Sequence, residues 1–221
     1  MSTTISDSLI EAAKEYLWML NRDYPQKASL KLVGDKFMLT KDMRQILYRG
    51  ISASAQAEKR KAMISVVTAG DLVLVDVYNV LFTVNNYLLG KPLFICNDGL
   101  LRDAGEMRGR IHDKPVFKRA IDLFLVVLGE WSGAIFRLYL DEPVSFSGRL
   151  SIELSKDMAE MGIEGEAWAV PSPDHVLKHE QGDVICTSDT AILDHYQGRV
   201  MDLPQYILKK FFRSDFPVLR V

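Results

Sequence analysis

Leu9, Ile10, Ala13, Tyr16, Leu17 and Leu20 recur at helical spacing behind Ser6 or Asp7, either of which can cap a helix. Residues 21–25 break it, and residues 26–33 form a short second helix closed by Gly34. Thr40 stands at an N-cap before residues 41–48, and a fourth helix runs from about Ser52 to Ile64 through the cluster Glu58-Lys59-Arg60-Lys61. At Gly70 the texture changes. Residues 71–76 are a continuous β-branched apolar run, the mark of a strand covered on both faces. Residues 92–96, 134–140, 183–187 and, more briefly, 166–170 look similar, with helical patterns at 80–89, 115–130 and 147–161. Strands alternating with helices predict an α/β domain with a mainly parallel sheet over residues 69–221, preceded by a helical module over residues 1–68. The helix pair with a Gly-containing turn also permits a helix-turn-helix reading, a weak signal that any small bundle produces.

The chain has 221 residues, 48% hydrophobic and 25% charged, enough to bury a full core. Its net charge of −2 conceals an asymmetry: residues 1–70 carry +4 and residues 71–221 carry −6. A basic front and an acidic back suit a phosphate-contacting module joined to a cation-binding one. Cys96 and Cys186 each sit in an apolar run, which predicts small buried hydrophobes and a reducing, cytoplasmic setting. No stretch has the roughly 20 apolar residues of a membrane span, and residues 1–7 lack the basic start of a signal peptide.

Open parallel sheets bind ligands outside the carboxyl ends of their strands. Asp76, Asp98, Asp141 and Asp189 each close or follow a predicted strand, and Asp174 starts the helix after another. Singly, each is best read as a helix cap or loop residue. Together they would share one sheet edge, where two carboxylates about 4 Å apart repel by roughly 4 kcal/mol at an effective dielectric of about 20. Protons or a divalent cation must neutralise them, and hard oxygen ligands suit Mg²⁺ or Mn²⁺. A carboxylate-held metal that activates water and stabilises charge on phosphate predicts a phosphodiester hydrolase.

Val75-Asp76-Val77-Tyr78-Asn79-Val80 resembles the Asp-Gly-Tyr-Asn first-strand motif of the NYN branch of the PIN-like ribonuclease superfamily, and Thr187-Ser188-Asp189 resembles its late Thr-Ser-Asp strand. The resemblance implies a three-layer α/β/α fold, acids holding Mg²⁺ or Mn²⁺, and RNA as the usual substrate. It places Asp76, Asp141, Asp174 and Asp189 as metal ligands and gives Asn79 the task of orienting a water, the metal or a ligand. The whole chain is also similar to an uncharacterised prokaryotic, largely archaeal family known as a domain of unknown function, through stretches such as Leu47-Tyr48-Arg49-Gly50, Leu89-Gly90-Lys91-Pro92 and residues 24–34, 98–103 and 141–148. Val77 replaces the glycine of the first motif, and Asn97 stands where an acid is expected. Both substitutions point to the alternative, a non-catalytic RNA-binding or regulatory protein that keeps the fold.

Other chemistries fit less well. A haloacid-dehalogenase-like phosphatase needs a second aspartate where Tyr78 stands, and no phosphate-binding glycine loop is present. His175 and His179 share a helix face, but Val176 occupies the place of a zinc protease's glutamate. Ser145 and Ser147 have no identifiable base, so they read as caps or phosphate donors. Arg102, Arg108 and Arg110, in a Gly-rich loop, and Arg149 could seat a phosphate backbone. Trp18, Trp131, Trp168, Phe211 and Phe212 read as core. The sequence therefore predicts metal-dependent cleavage of RNA, with single-stranded DNA as the second choice and no membrane partner.

Overall fold

Four helices precede the first strand: α1 (Asp7–Leu20), α2 (Gln26–Lys36), α3 (Lys41–Gly50) and α4 (Ser54–Met63). The structure is a computed structural model that describes residues 6–104 and 115–221. Ser6 and Thr40 cap α1 and α3 as their side chains imply, accepting from the Leu9 and Met43 amides at 3.2 and 3.3 Å. Gly34 does not close α2. It lies inside the helix, where the Arg44 guanidinium packs so closely that a Cβ would sit 2.3 Å from Arg44 Nη1. The fourth helix starts at Ser54, whose amide donates to Asn21 Oδ1 at 2.7 Å.

The remaining elements are β1 (Leu72–Asp76), α5 (Val77–Leu88), β2 (Leu93–Ile95), β3 (Leu101–Asp103), α6 (Pro115–Glu130), β4 (Ile135–Asp141), α7 (Ser147–Glu160), β5 (Gly165–Val170), α8 (Pro173–His179), β6 (Val184–Cys186), α9 (Thr190–Leu193), β7 (Arg199–Val200) and α10 (Leu203–Phe212). Five strands form a parallel sheet in the order β5-β4-β1-β6-β7. Strand alternation divides the apolar runs between its two faces. Val73 and Val75 of β1, Phe136, Leu138 and Leu140 of β4, and Val184 and Cys186 of β6 pack with α5, α6, α7 and α10. Leu74, Tyr139 and Ile185 face the other way, against Leu177 of α8 and Ile192 and Leu193 of α9. Helices therefore cover both faces, giving three layers. No helix among the described residues is long and apolar enough to cross a membrane.

Two expectations are corrected. The run at residues 92–96 does not join the main sheet: β2 pairs antiparallel with β3 in a separate hairpin, turned by Asn97 to Leu100 with Gly99 at φ +83°. A fifth strand for the sheet comes instead from β7, two residues long, which pairs with β6. The connector after α4 lies along β7, through an Ile64–Val200 bridge, a Ser65 amide bond to the Val200 carbonyl (2.8 Å) and an Arg199 bond to the Val66 carbonyl (3.1 Å). The N-terminal helices share their core with the hairpin and the C-terminal tail: Tyr16, Leu47 and Ile51 pack with Phe94, Cys96 and Leu219.

Candidate acidic site at the strand ends

β1 lies between β4 and β6, and the chain order reverses around it, the position at whose carboxyl end open parallel sheets bind ligands. Asp76 is the last residue of β1 and the N-cap of α5, and it is 7% exposed. Its Oδ1 accepts from the Asn79 amide at 3.3 Å and its Oδ2 from the Thr187 hydroxyl at 2.9 Å. Thr187 Oγ1 in turn accepts from the Asp189 amide at 3.2 Å, so one hydroxyl ties the first-strand acid to the late-strand turn. Asn79 Oδ1 accepts from both the amide (2.9 Å) and the hydroxyl (3.1 Å) of Ser188. Thus α5 and the turn after β6 are laced together by the residues of the two motifs. Asp189 caps α9 by accepting from the Ala191 amide at 2.7 Å.

Electrostatics connects the remaining acids. Burial pushes the Asp76 carboxyl up to about 7; hydrogen bonds from Thr187 and Asn79 oppose the rise, and the charges of Asp141 and Asp189 add to it. Asp141, half-buried at the end of β4, is raised by burial and by the charge of Asp174. Asp174 lies exposed in the first turn of α8. All four acids thus bear on one region, though the capping role of the singly read aspartates is also real for Asp76 and Asp189. Among the described residues, no three His, Cys, Asp or Glu side chains stand close enough to make a ready-built metal cage. The donor chemistry fits a hard cation of the kind held by one or two carboxylates, waters and substrate phosphate, and it does not fit a four-ligand zinc site.

Several predicted contacts take other places. Arg102 is not a substrate arginine: it is 3% exposed, with Nη1 and Nη2 on Asp98 at 2.9 and 2.7 Å and Nε on the Ser188 carbonyl at 2.9 Å. Asp98 is fully buried in the hairpin turn, where its carboxylate is taken up by Arg102. Ser147 is also buried, its hydroxyl engaged by the Asp141 and Val144 carbonyls at 2.6 Å and by Tyr78 at 2.8 Å, so it braces the turn and is not open to phosphate. Ser145 is exposed, and Arg149, likewise exposed, pairs with Glu153 at 2.7 Å. Arg108 and Arg110 lie outside the described residues. Asn97 is no ligand substitute; its amide brackets Ser52 at 3.1 and 2.8 Å. Val77 is buried in the main core. His175 and His179 are exposed with ring centroids 4.4 Å apart, and His179 Nδ1 lies 2.6 Å from the His175 carbonyl. Trp168 stacks on Tyr139, Trp131 on Phe136, and both are partly buried. Trp18 is not core: it is 52% exposed, two residues past buried Tyr16 and so on the far side of α1. Phe211 is 37% exposed.

The residue that sequence reasoning missed is Arg60. It is 3% exposed on α4, donates to Asp194 through Nε and Nη2 at 2.8 and 2.9 Å and to Ser52 at 2.7 Å, and stands 3.4 Å from Asp98. Arg60, Asp98, Arg102 and the Ser188 carbonyl therefore form a buried chain from the helical module to the turn that carries Asp189. Its only sequence signal was an arginine at a helix position whose neighbours Ala57 and Ile64 are apolar.

The family model described as a domain of unknown function, DUF5616, matches residues 67–206. The chain belongs to the DUF5616 family. In this DUF5616 protein, residues 8–62 match a second model, described as a protein of unknown function, DUF434. An uncharacterized protein of Methanocaldococcus jannaschii is 29% identical over 187 residues, covering 83% of the DUF5616 chain and 88% of the relative. No solved structure matches. The Arg60–Asp98 contact joins the two matched segments.

Proposed function

We propose that this protein is a divalent-cation-dependent ribonuclease with a PIN-like domain. The observation that carries the reading is convergence: Asp76, Asp141 and Asp189 stand at or just beyond the carboxyl ends of the neighbouring parallel strands β1, β4 and β6, with Asp174 in the first turn of the helix after β5. The three-layer architecture and the bonds linking the Asp76 and Asp189 motifs support it further. One or two of the Asp76, Asp141 and Asp189 carboxylates, with waters and substrate phosphate and with Asp174 at the rim, would hold Mg²⁺ or Mn²⁺. Bound there, the cation would neutralise the acids, stabilise charge on the attacked phosphate and promote ionisation of water. Asn79 holds the Ser188 turn in place, so it fixes the backbone that carries Asp189. Thr187 orients the Asp76 carboxylate and shields one of its oxygens.

The alternative of a non-catalytic RNA-binding protein draws no support from Val77 or Asn97, since one packs into the core and the other bonds to Ser52. Labelled single-stranded RNA incubated with Mn²⁺ distinguishes the two. The ribonuclease reading expects cleavage that stops in EDTA and is lost in Asp76→Asn with an unchanged circular dichroism spectrum. Intact RNA with every divalent metal tried, or undiminished cleavage by the variant, would overturn it. Single-stranded DNA in parallel reactions reports the breadth of the substrate.

A further inference from the structure

Two large aromatic side chains are left on the surface of the helical module. Trp18 and Tyr24 are 52% and 49% exposed, with ring centroids 6.4 Å apart and planes inclined by 26°. The Arg22 guanidinium lies 3.8 Å over the Trp18 ring. With Lys14, Glu15 and Met19 they line a shallow depression. Tyr24 is also a wall of a second cleft, of about 300 Å³, together with Gln26, Ser52, Gln56, Arg60 and Thr190. Thr190 follows Asp189 directly. The two hollows share Tyr24, and the second is lined at its far side by Thr190, the chain neighbour of Asp189.

We propose that Trp18 and Tyr24 form a stacking platform for bases of single-stranded RNA whose backbone follows this cleft to the strand ends. The proposal rests on the ribonuclease reading and assigns it a substrate form. Aromatic faces bind bases of any sequence, and a nearby arginine adds both cation–π and phosphate attraction. The module's surplus of positive charge, +4 over residues 1–70 with Lys27 and Lys31 exposed on α2, complements a polyanion. Asp194 in the cleft is neutralised by Arg60, leaving Asp23 as an acid on that wall. A duplex, whose bases are already stacked on each other, offers the rings no face.

The test uses the full-length protein in EDTA with a fluorescent 12-nucleotide single-stranded RNA, read by anisotropy, and separate cleavage assays in Mn²⁺. Trp18→Ala and Tyr24→Ala are expected to weaken binding about tenfold or more, and Trp18→Phe to retain most of it. Binding that depends on Trp18 without cleavage in any metal supports the platform while removing the ribonuclease reading. Cleavage and binding unchanged in both alanine variants would overturn the platform and leave that reading standing. Absence of RNA binding by the wild type overturns it too, as does a dimer in sedimentation that Trp18→Ala converts to monomer, which would make the patch a contact between copies of the chain.

Discussion

Replacing Asp98 with alanine removes one carboxylate and leaves its partners in place. Asp98 is fully buried and accepts from two nitrogens of Arg102 and from the Leu100 amide at 3.2 Å, with Arg60 at 3.4 Å. The cluster of Arg60, Arg102, Asp98 and Asp194 is neutral. Without Asp98 it carries a net positive charge, on guanidiniums that are each 3% exposed. Breaking a buried pair in this way costs about 3–5 kcal/mol, because the surviving charge is neither solvated nor compensated. Domains are stable by roughly 5–15 kcal/mol, so the loss is a large part of the whole. Urea unfolding followed by circular dichroism should show the midpoint fall accordingly. The double variant Asp98→Ala, Arg102→Met should recover much of the loss, since an apolar replacement leaves no orphaned charge in that pair. A single variant within about 1 kcal/mol of the wild type, the range of exposed ion pairs, would refute the buried-cluster argument.

Stability in EDTA should fall as pH rises from about 4 to about 7. The folded state keeps protons on Asp76 (raised to about 7) and Asp202 (raised to about 6) where the unfolded chain has released them, and Asp76→Asn should flatten the curve. For Asp76 the full effect is roughly 4 kcal/mol, measurable in urea titrations at fixed pH values. Mn²⁺ should raise the melting temperature of the wild type and leave that of Asp189→Asn almost unmoved; equal shifts in both would remove Asp189 from the cation's ligands. Thr187→Val takes away a hydrogen bond to a buried carboxylate, so an expected loss of about 1–3 kcal/mol at pH 8 should shrink at pH 5, where Asp76 is protonated. Gly165→Ala is expected to prevent normal folding, because the new Cβ would lie 2.0 Å from the Phe136 carbonyl oxygen at φ +142°; soluble, cooperatively unfolding protein would contradict that.

The central strand was legible because Leu72 to Val75 is apolar on both faces, which only a covered strand requires. The acids at its end and at the ends of β4 and β6 followed from where each apolar run stopped. What the sequence concealed was pairing. Residues 93–95 have the same β-branched, aromatic texture whether they join a five-stranded sheet or a hairpin, because the choice depends on partners far along the chain. The two residues of β7 are too few to show alternation. Arg102 reads as a phosphate-contacting arginine and Arg60 as one of a run of helix charges, since burial of an arginine is set by carboxylates that fold beside it and neither Asp98 nor Asp194 announces a partner. Ser147 was recognised as polar beside Asp141, but the carbonyls that occupy its hydroxyl belong to a turn whose shape no spacing reveals. Trp18 differs for a simpler reason: its size suggests core, but its place on α1, two residues past buried Tyr16, faces outward.

The connector that lies along β7 has a consequence for handling the protein. A two-residue flank strand would otherwise present bare amide and carbonyl groups, a template on which another chain can add. Residues 64–66 occupy that margin, while the opposite margin, β5, is guarded by the exposed acids Glu164 and Glu166. Proteolysis at the connector would leave the helices held by the core they share with Phe94, Cys96 and Leu219 and by Arg60, but it would loosen residues 64–66. That would uncover a sticky sheet border, and the nicked protein should polymerise or precipitate even while its strands stay folded.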